Sequence, residues 1–518
     1  MKVTFVCPGD EVLGIQYMSS VLKEHGIDTE LVFDPRLFQD SLLEKTFLAK
    51  KFITDTNSIV KRVFDTNPDL VGITSTTNTF QWGLQIASRI KKKESTIPII
   101  FGGPHATAVP ERVLNKEAVD FVCVGPGEHA LLDLCRALQA GEKYFEIPGV
   151  WYKNGGQIKP TEEVYTVDDL DKLPFPDKDL FFSQLPFYKN PYTIVTSRGC
   201  PFKCSYCMSS MYHNLYRSCG AKPFQRRSVD NVIDELIMAK ERWNIRSVKF
   251  FDDLFAFNKK WLRPFCEEYK DKIDLPFRCS VYPAVLDDEI VQLLKHAGAY
   301  TITMGVQTVN ERILSDVLNR KTSFNQIKSS MESLKRSKVY FSVDHILGLP
   351  DESEEDHKNA ALLYSEIRPS NILLYWLVYY PKTEIINYAL ERNLIDKKEI
   401  ELVEEGMGQI SYKLRDKDSY KIAYPYFLLL NLIPVGIIPK FIFKWIVKKD
   451  LARFFKLPFF VIVIKQFFDS LDPRSSRYEQ LKKTFSFMRY GLAFNRSLNS
   501  NNKFFDLLKK RDYRPKKG

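Results

Sequence analysis

The chain has 518 residues, of which 44% are apolar and 27% charged, a balance that excludes a mainly disordered chain and a multi-span membrane protein. Its nine cysteines are too few for a small disulfide-stapled secreted fold. The net charge of +11 is uneven: residues 421–518 hold 21 Lys and Arg against 6 Asp and Glu, while the other 420 residues hold 54 against 58, so the basic excess assigns that segment an anionic partner, a membrane or a nucleic acid.

The length predicts about three domains. The first residues, Met-Lys-Val-Thr-Phe-Val-Cys-Pro-Gly-Asp, read as a buried strand entering a turn. They lack the apolar core and cleavage site of a signal peptide, which points to a reducing cytoplasm. Strands are predicted at 2–7, 29–33, 70–74, 97–101 and 121–124, with amphipathic helical stretches at 15–25 and 80–93 among them. Short apolar runs alternating with helices predict a doubly wound parallel sheet over 1–150. Ligands of such sheets sit at the carboxyl ends of the strands. Here those loops cover 8–14, 75–80, 102–109 and 125–129 and are rich in Gly, Ser, Thr and Pro. Residues 151–190 read as a Pro- and Asp-rich connector. Strands at 192–196, 248–251, 277–281, 301–304, 340–346 and 372–378 then predict six βα units of a partial parallel barrel over 191–395, with chemistry at the strand C-termini.

After residue 395 the pattern changes to a helical region. Residues 422–439 are all apolar, aromatic, Gly or Pro except Asn431, but Pro425, Pro434 and Pro439 interrupt the run. Residues 441–468 mix Phe, Ile, Val and Trp with Lys, and Lys440, Lys444 and Lys448 recur every four residues as one cationic stripe. Helices lying on an anionic membrane surface fit this better than a span. A buried helical domain with a solvated basic face is the competing reading. The long apolar runs argue against nucleic acid.

The strongest chemical signal is Ser197-Arg198-Gly199-Cys200-Pro201-Phe202-Lys203-Cys204-Ser205-Tyr206-Cys207. Three thiols at C-x3-C-x2-C directly after a strand suit three irons of a [4Fe–4S] cluster and leave the fourth iron open. A zinc site would need further ligands, for which His213 and Cys219 are the candidates. Cys7, Cys123, Cys135, Cys266 and Cys279 lie in apolar contexts and read as buried structural thiols.

With this cysteine motif after the first strand of a six-unit barrel, preceded by a sheet domain, the chain resembles the cobalamin-binding radical S-adenosylmethionine (SAM) family over about three quarters of its length. Further segments fit the pattern: Phe250-Phe251-Asp252-Asp253, Met304-Gly305-Val306-Gln307-Thr308, Asp344-His345-Ile346-Leu347-Gly348-Leu349-Pro350-Asp351-Glu352, Gly102-Gly103-Pro104-His105 and Gly125-Pro126-Gly127-Glu128. The resemblance implies a [4Fe–4S] cluster on Cys200, Cys204 and Cys207 that cleaves SAM to a 5′-deoxyadenosyl radical. It implies SAM contacts from Tyr206, Asp252, Asp253, Gln307, Ile346 and Gly348. It implies cobalamin contacts from Ser75, Thr76, Gly102, Gly103, His105, Gly125, Gly127 and Glu128. Gln307 stands where the family often has Glu. The Asp-x-His-x-x-Gly cobalt-ligand motif is absent, so His105 is not expected as a ligand of that kind. Tyr375, Tyr379 and Tyr380 read as either pocket wall or aromatic core.

The implied activity is radical C-methylation of an unactivated carbon on a hydrophobic, lipid-like or natural-product-like substrate. Oxidative cyclisation or rearrangement, as in tetrapyrrole-ring formation, is the alternative, and an RNA-modifying or redox-sensing iron–sulfur protein is a third reading. The chemistry calls for a low-potential electron donor such as ferredoxin or flavodoxin. The expected location is the cytoplasm, or the inner membrane face.

Overall fold

The computed structural model describes the chain except residues 35–55, 143–145, 408–417, 437, 455–459, 476, 483–485 and 487–518. The last third of the basic C-terminal segment, and part of its lysine-rich stretch, therefore lie outside the described residues.

Seven strands form the first sheet: β1 (Lys2–Pro8), β2 (Asp28–Asp34), β3 (Leu70–Thr74), β4 (Ile99–Gly102), β5 (Phe121–Cys123), β6 (Val150–Asn154) and β7 (Gln157–Lys159). Their order is β2-β1-β3-β4-β5-β6-β7. The first five pair in parallel. Alternation along β1 sends Val3, Phe5 and Cys7 into one core and Val6 into another. The helix Leu13–Glu24 covers the first face with Ile15, Val21 and Leu22, and the helix Phe80–Lys93 covers the second with Ile86 and Ile90. Both faces are thus buried, as near-continuous apolar strands require. The sheet outruns the expected boundary at 150. Strands β6 and β7, in the segment read as connector, extend it with two antiparallel pairings. The Pro and Asp content of 151–190 hid this short hairpin, whose turn is Gly155-Gly156.

The second sheet consists of β8 (Tyr192–Ile194), β11 (Val248–Phe250), β12 (Phe277–Val281), β13 (Ala299–Gln307), β14 (Tyr340–Leu347) and β15 (Asn371–Trp376) in the order β15-β14-β13-β12-β11-β8. All five pairings are parallel, so every strand points its C-terminus toward one end. Between β8 and β11 lies a two-stranded ribbon, β9 (Ser197–Arg198) against β10 (Gln225–Arg226).

In the C-terminal region the helix Asp418–Leu432 runs through Pro425. It buries Ala423, Tyr426, Leu429 and Leu430 and packs on the barrel helix Glu354–Ile367. That burial offsets the cost of an interior proline. Pro434 falls beyond the helix end, and Pro439 caps the next helix, Lys440–Lys448. The apolar run therefore supplies core contacts for the barrel. Among the described residues no helix is long and apolar enough to cross a membrane.

Candidate cluster and cofactor site

The cysteine segment leaves β9 through Gly199, whose φ is +76°; a Cβ there would lie 2.0 Å from the Pro223 carbonyl oxygen. Only glycine permits this turn. The loop that follows is held at several points. The Ser205 backbone N–H donates to Leu318 O (3.0 Å) and Ile385 N–H donates to Ser205 O (3.0 Å). Asn319 Nδ2 donates to Lys203 O (2.9 Å), and His213 Nε2 contacts the Cys200 carbonyl. Cys207 caps the helix Met208–Ser218, accepting from Ser209 N–H at 3.5 Å.

Cys204 is buried, and Cys200 and Cys207 are half-buried. Burial pushes the Cys200 thiol up to about 12. Burial also raises Cys204, against the nearby Arg320 charge. Three such thiols in one place call for a cation. A zinc site would need a fourth ligand, and of the sequence's candidates His213 has its Nε2 engaged with the Cys200 carbonyl, so the three thiols suit three irons of one cluster better than one zinc.

The rim contains groups that adjacency in sequence does not reveal. Arg320 is 6% exposed. Its Nη1 approaches Cys204 Sγ (3.7 Å) and the Tyr206 hydroxyl (3.3 Å), and its Nη2 donates to Gly305 O. Its guanidinium also lies 4.3 Å from the Tyr282 ring centroid. Gln307 closes β13 in the left-handed region, φ 72°, at a break in register with β14. On β14, Asp344 Oδ1 is buried without a partner, and burial raises its carboxyl to about 7 despite Arg320. Ile346 is buried. The N–H groups of Gly348 and Leu349 are already used, donating to Glu352 Oε2 at 2.8 and 3.2 Å.

The two adjacent aspartates part company. Asp252 is 5% exposed. It accepts from Thr196 N–H (3.0 Å), Thr196 Oγ1 (2.8 Å) and Ser197 Oγ, and so clamps β8 to the start of the cysteine segment. These bonds engage both oxygens of the carboxylate that the resemblance assigns to SAM. Asp253 lines a cavity, with its pKa raised by burial and by Asp252.

That cavity, about 410 Å³, lies between the two sheets at their C-terminal ends. The first sheet contributes Gly102, Gly103, Gly125, Gly127 and Glu128; the barrel side contributes Arg198, Gly199, Tyr212, Tyr216 and Asp253. Leu13 and Met18 add apolar wall. Gly103 has φ +96°, and a Cβ there would meet Ser75 O at 2.8 Å. A glycine-walled, largely apolar slot between two modules suits a broad flat cofactor such as cobalamin. Ser75, Thr76 and His105 do not line it. Ser75 instead pairs its N–H with Gly102 O and accepts from His105 N–H, which makes it a brace for the loop. Thr76 turns toward Thr79. His105 is 1% exposed and packs on Phe80 at 4.6 Å between ring centroids. Its Nδ1 lies 3.2 Å from Thr77 Oγ1.

The other expectations resolve simply. Cys7, Cys123, Cys135, Cys266 and Cys279 are all buried. Tyr379 is core, whereas Tyr375 is 50% exposed.

Residues 194–363 match the radical SAM superfamily and residues 10–135 match the B12 binding domain. The chain carries a radical SAM domain after a B12-binding domain. It is 27% identical to an uncharacterized methyltransferase of Pyrococcus horikoshii, over 74% of this chain and 79% of that one. Its fold is similar to that of the radical SAM methyltransferase TsrM from Kitasatospora setae, solved with cobalamin and a [4Fe–4S] cluster: TM-score 0.59, 16% identity, 75% of this chain and 78% of that one. It is also similar to the cobalamin-dependent SAM radical enzyme OxsB, solved with aqua-cobalamin and SAM: TM-score 0.64, 15% identity, 98% and 83% covered.

Proposed function

We propose that this radical SAM enzyme is a cobalamin-dependent methyltransferase that methylates an unactivated carbon of a small, hydrophobic molecule. The observation that carries the reading is the shared cavity: the glycine loops of the B12-binding domain and the cysteine-bearing end of the barrel front one space. When bound, the cluster supplies the electron that cleaves SAM, and cobalamin supplies the methyl carrier.

The chain's own part is binding, orientation and exclusion of water. Cys200, Cys204 and Cys207 hold iron. Arg320 sets positive charge beside the Cys204 sulfur and orders Tyr206. Asp344 on β14 carries a buried carboxylate oxygen without a partner, a group suited to an ammonium or hydroxyl of SAM. Gly102, Gly103, Gly125 and Gly127 let a flat ring approach the backbone. The reaction class calls for a low-potential electron donor. The helix Lys440–Lys448 exposes Phe441 and Trp445 beside Lys448 and Lys449, which supports docking on an anionic membrane and a lipid-like substrate.

The test is anaerobic reconstitution with iron, sulfide and cobalamin, followed by deuteromethyl-SAM, reductant and membrane lipid extracts. Methylation predicts 5′-deoxyadenosine and S-adenosylhomocysteine in equal amounts, a deuteromethyl product, and loss of all three in Cys207→Ser. Deoxyadenosine without S-adenosylhomocysteine would overturn methylation in favour of cyclisation.

A further inference from the structure

Behind the barrel, away from the cysteines, three buried side chains converge that the proposed reaction does not use. His345 is on β14, Glu352 in the turn after it, and His357 on the helix Glu354–Ile367. One ligand atom from each lies within 4.8 Å of the others. Alternation along β14 explains the separation from the cluster site. Asp344 points toward Arg320 inside the barrel, so His345 points out, toward Tyr364 of the covering helix.

The geometry points to a second metal site, for a divalent cation of the zinc class, formed by His345, Glu352 and His357. Both histidines are 1% exposed, and the Glu352 side chain is 2% exposed. His345 Nδ1 sits 3.0 Å from the Tyr364 hydroxyl, which leaves Nε2, a buried nitrogen with no partner. His357 Nε2 is 3.7 Å from Glu352 Oε2, too far for a hydrogen bond. Buried polar groups are normally satisfied, so the orphaned Nε2 of His345 beside this pair needs an explanation. A cation supplies it. Two imidazoles and a carboxylate are a common zinc donor set, and a second bond from a ligating imidazole to an outer oxygen fixes its orientation. Tetrahedral bonds of about 2.1 Å place ligand atoms about 3.4 Å apart, close to the 3.7 Å separation of the His357–Glu352 pair.

The site has a structural consequence. Glu352 accepts from Gly348 and Leu349 N–H, and the His357 ring stacks on Tyr426 at 5.5 Å. A cation here ties the turn after β14 to its covering helix and to the C-terminal helix Asp418–Leu432. It therefore stiffens one side of the barrel mouth without touching the cluster.

The experiment uses the full chain carrying Cys200→Ser, Cys204→Ser and Cys207→Ser, so that no cluster thiolate competes for the metal, stripped with chelator and given zinc chloride alone. Bound zinc is counted by mass spectrometry and its neighbours are read by X-ray absorption. The expected result is one zinc per chain with nitrogen and oxygen neighbours at about 2.0–2.1 Å and no sulfur. His357→Gln and Glu352→Gln are each expected to lower zinc affinity by about 100-fold. Zinc is also expected to raise the melting temperature of the parent chain but not of these variants. His345→Gln serves as a third variant, and circular dichroism confirms which variants are folded. Failure of the parent chain to bind zinc, sulfur neighbours, or unchanged affinity in the folded variants would overturn the site. None of these readouts depends on methyl transfer, so the two proposals fail separately.

Discussion

The Arg198 guanidinium donates to the Glu128 carboxylate at 2.5 Å, joining the residue two before the first cluster cysteine to the first residue of a helix in the B12-binding domain. Glu128 is 5% exposed and Arg198 25%. Burial alone would raise the Glu128 carboxyl, but the charge and hydrogen bond of Arg198 hold it below its usual range. Arg198 also lies 5.0 Å from the Tyr17 ring centroid. The pair is thus a hinge pin between the two modules at the edge of their shared cavity. Glu128→Gln leaves a largely buried guanidinium without its anion, and is expected to cost about 2–3 kcal/mol in urea unfolding. Hydroxocobalamin, titrated by absorbance, is expected to bind more weakly. Arg198→Met combined with Glu128→Gln is expected to recover part of the stability, because no unpaired charge remains. A double variant no better than the worse single one would contradict this role.

The Asp252 carboxylate gathers a backbone N–H and two hydroxyls from Thr196 and Ser197. Asp252→Ala strands these donors in a buried place, at an expected cost of about 3 kcal/mol. Iron content after reconstitution is expected to fall with stability, since the clamp sets the start of the cysteine segment. A variant that kept its full iron complement and lost only SAM binding would show instead that the carboxylate touches SAM.

These two residues show what the sequence made legible. The strands of both sheets stood out because apolar runs alternate with amphipathic helices, and the three cysteines stood out because their spacing is local. The partners that complete the site are not local. Arg320 lies 116 positions beyond Cys204, and only the return of the chain from β13 brings it there. Asp252 and Asp253 lie just beyond the end of β11 and have different surroundings, the first bonded to Thr196 and Ser197 and the second lining the cavity, which a reading of the pair as one rim feature missed. The family resemblance implies cobalamin contacts from Ser75 and His105, which do not line the cavity. The actual cavity wall uses Met18, Tyr212 and Tyr216, which in sequence resemble ordinary core. The hairpin of β6 and β7 was hidden by the Pro and Asp content of the segment around it and by the three-residue length of β7.

Arg320 holds three partners with one planar fork, the Gly305 carbonyl, the Tyr206 hydroxyl and the Cys204 sulfur. Lysine cannot reproduce that geometry. Both Arg320→Lys and Arg320→Leu are therefore expected to slow 5′-deoxyadenosine release by about 100-fold, the scale of one lost electrostatic donor in an active site. The charge argument separates them. Leucine removes a cation beside a cluster sulfur and is expected to lower the cluster's midpoint potential, whereas lysine preserves most of it. Equal potentials in the two variants would limit Arg320 to a steric role.

His105 titrates in the opposite sense to a histidine that gains an anionic partner. Burial, opposed by the Glu405 charge, lowers its pKa from 6.5 to about 4. The unfolded chain takes up a proton near pH 6.5 while the folded chain does not. The contribution of His105 is therefore fully present above pH 6.5 and is lost as pH falls toward 4. Between pH 7 and 5 it is expected to amount to about 2 kcal/mol. In His105→Gln the drop in unfolding free energy over that window is expected to shrink by this amount relative to the parent chain. An unchanged slope would mean that the imidazole is solvated.

The C-terminal helix Lys440–Lys448 leaves Phe441 73%, Ile442 38% and Trp445 55% exposed. These three share one face with the exposed Lys448 and Lys449. Lys440 donates to the Glu366 carbonyl oxygen and Lys444 pairs with the Glu366 carboxylate, so the barrel draws two lysines of the cationic stripe expected from the sequence and neutralises Lys444. Phe467, Phe468 and Leu471 on the helix Phe460–Leu471 are also 49–60% exposed. Aromatic side chains beside free lysines suit an interfacial contact with anionic lipid. The full chain is expected to sediment with vesicles containing phosphatidylglycerol and not with pure phosphatidylcholine, and salt is expected to weaken the association. Trp445→Ser removes one inserted ring and is expected to lower binding by about tenfold, the equivalent of about 1.4 kcal/mol. Lys448→Glu with Lys449→Glu is expected to abolish the lipid preference while leaving the fold intact, because neither lysine is buried. Equal sedimentation with both vesicle types, or none with either, would return this face to simple solvation.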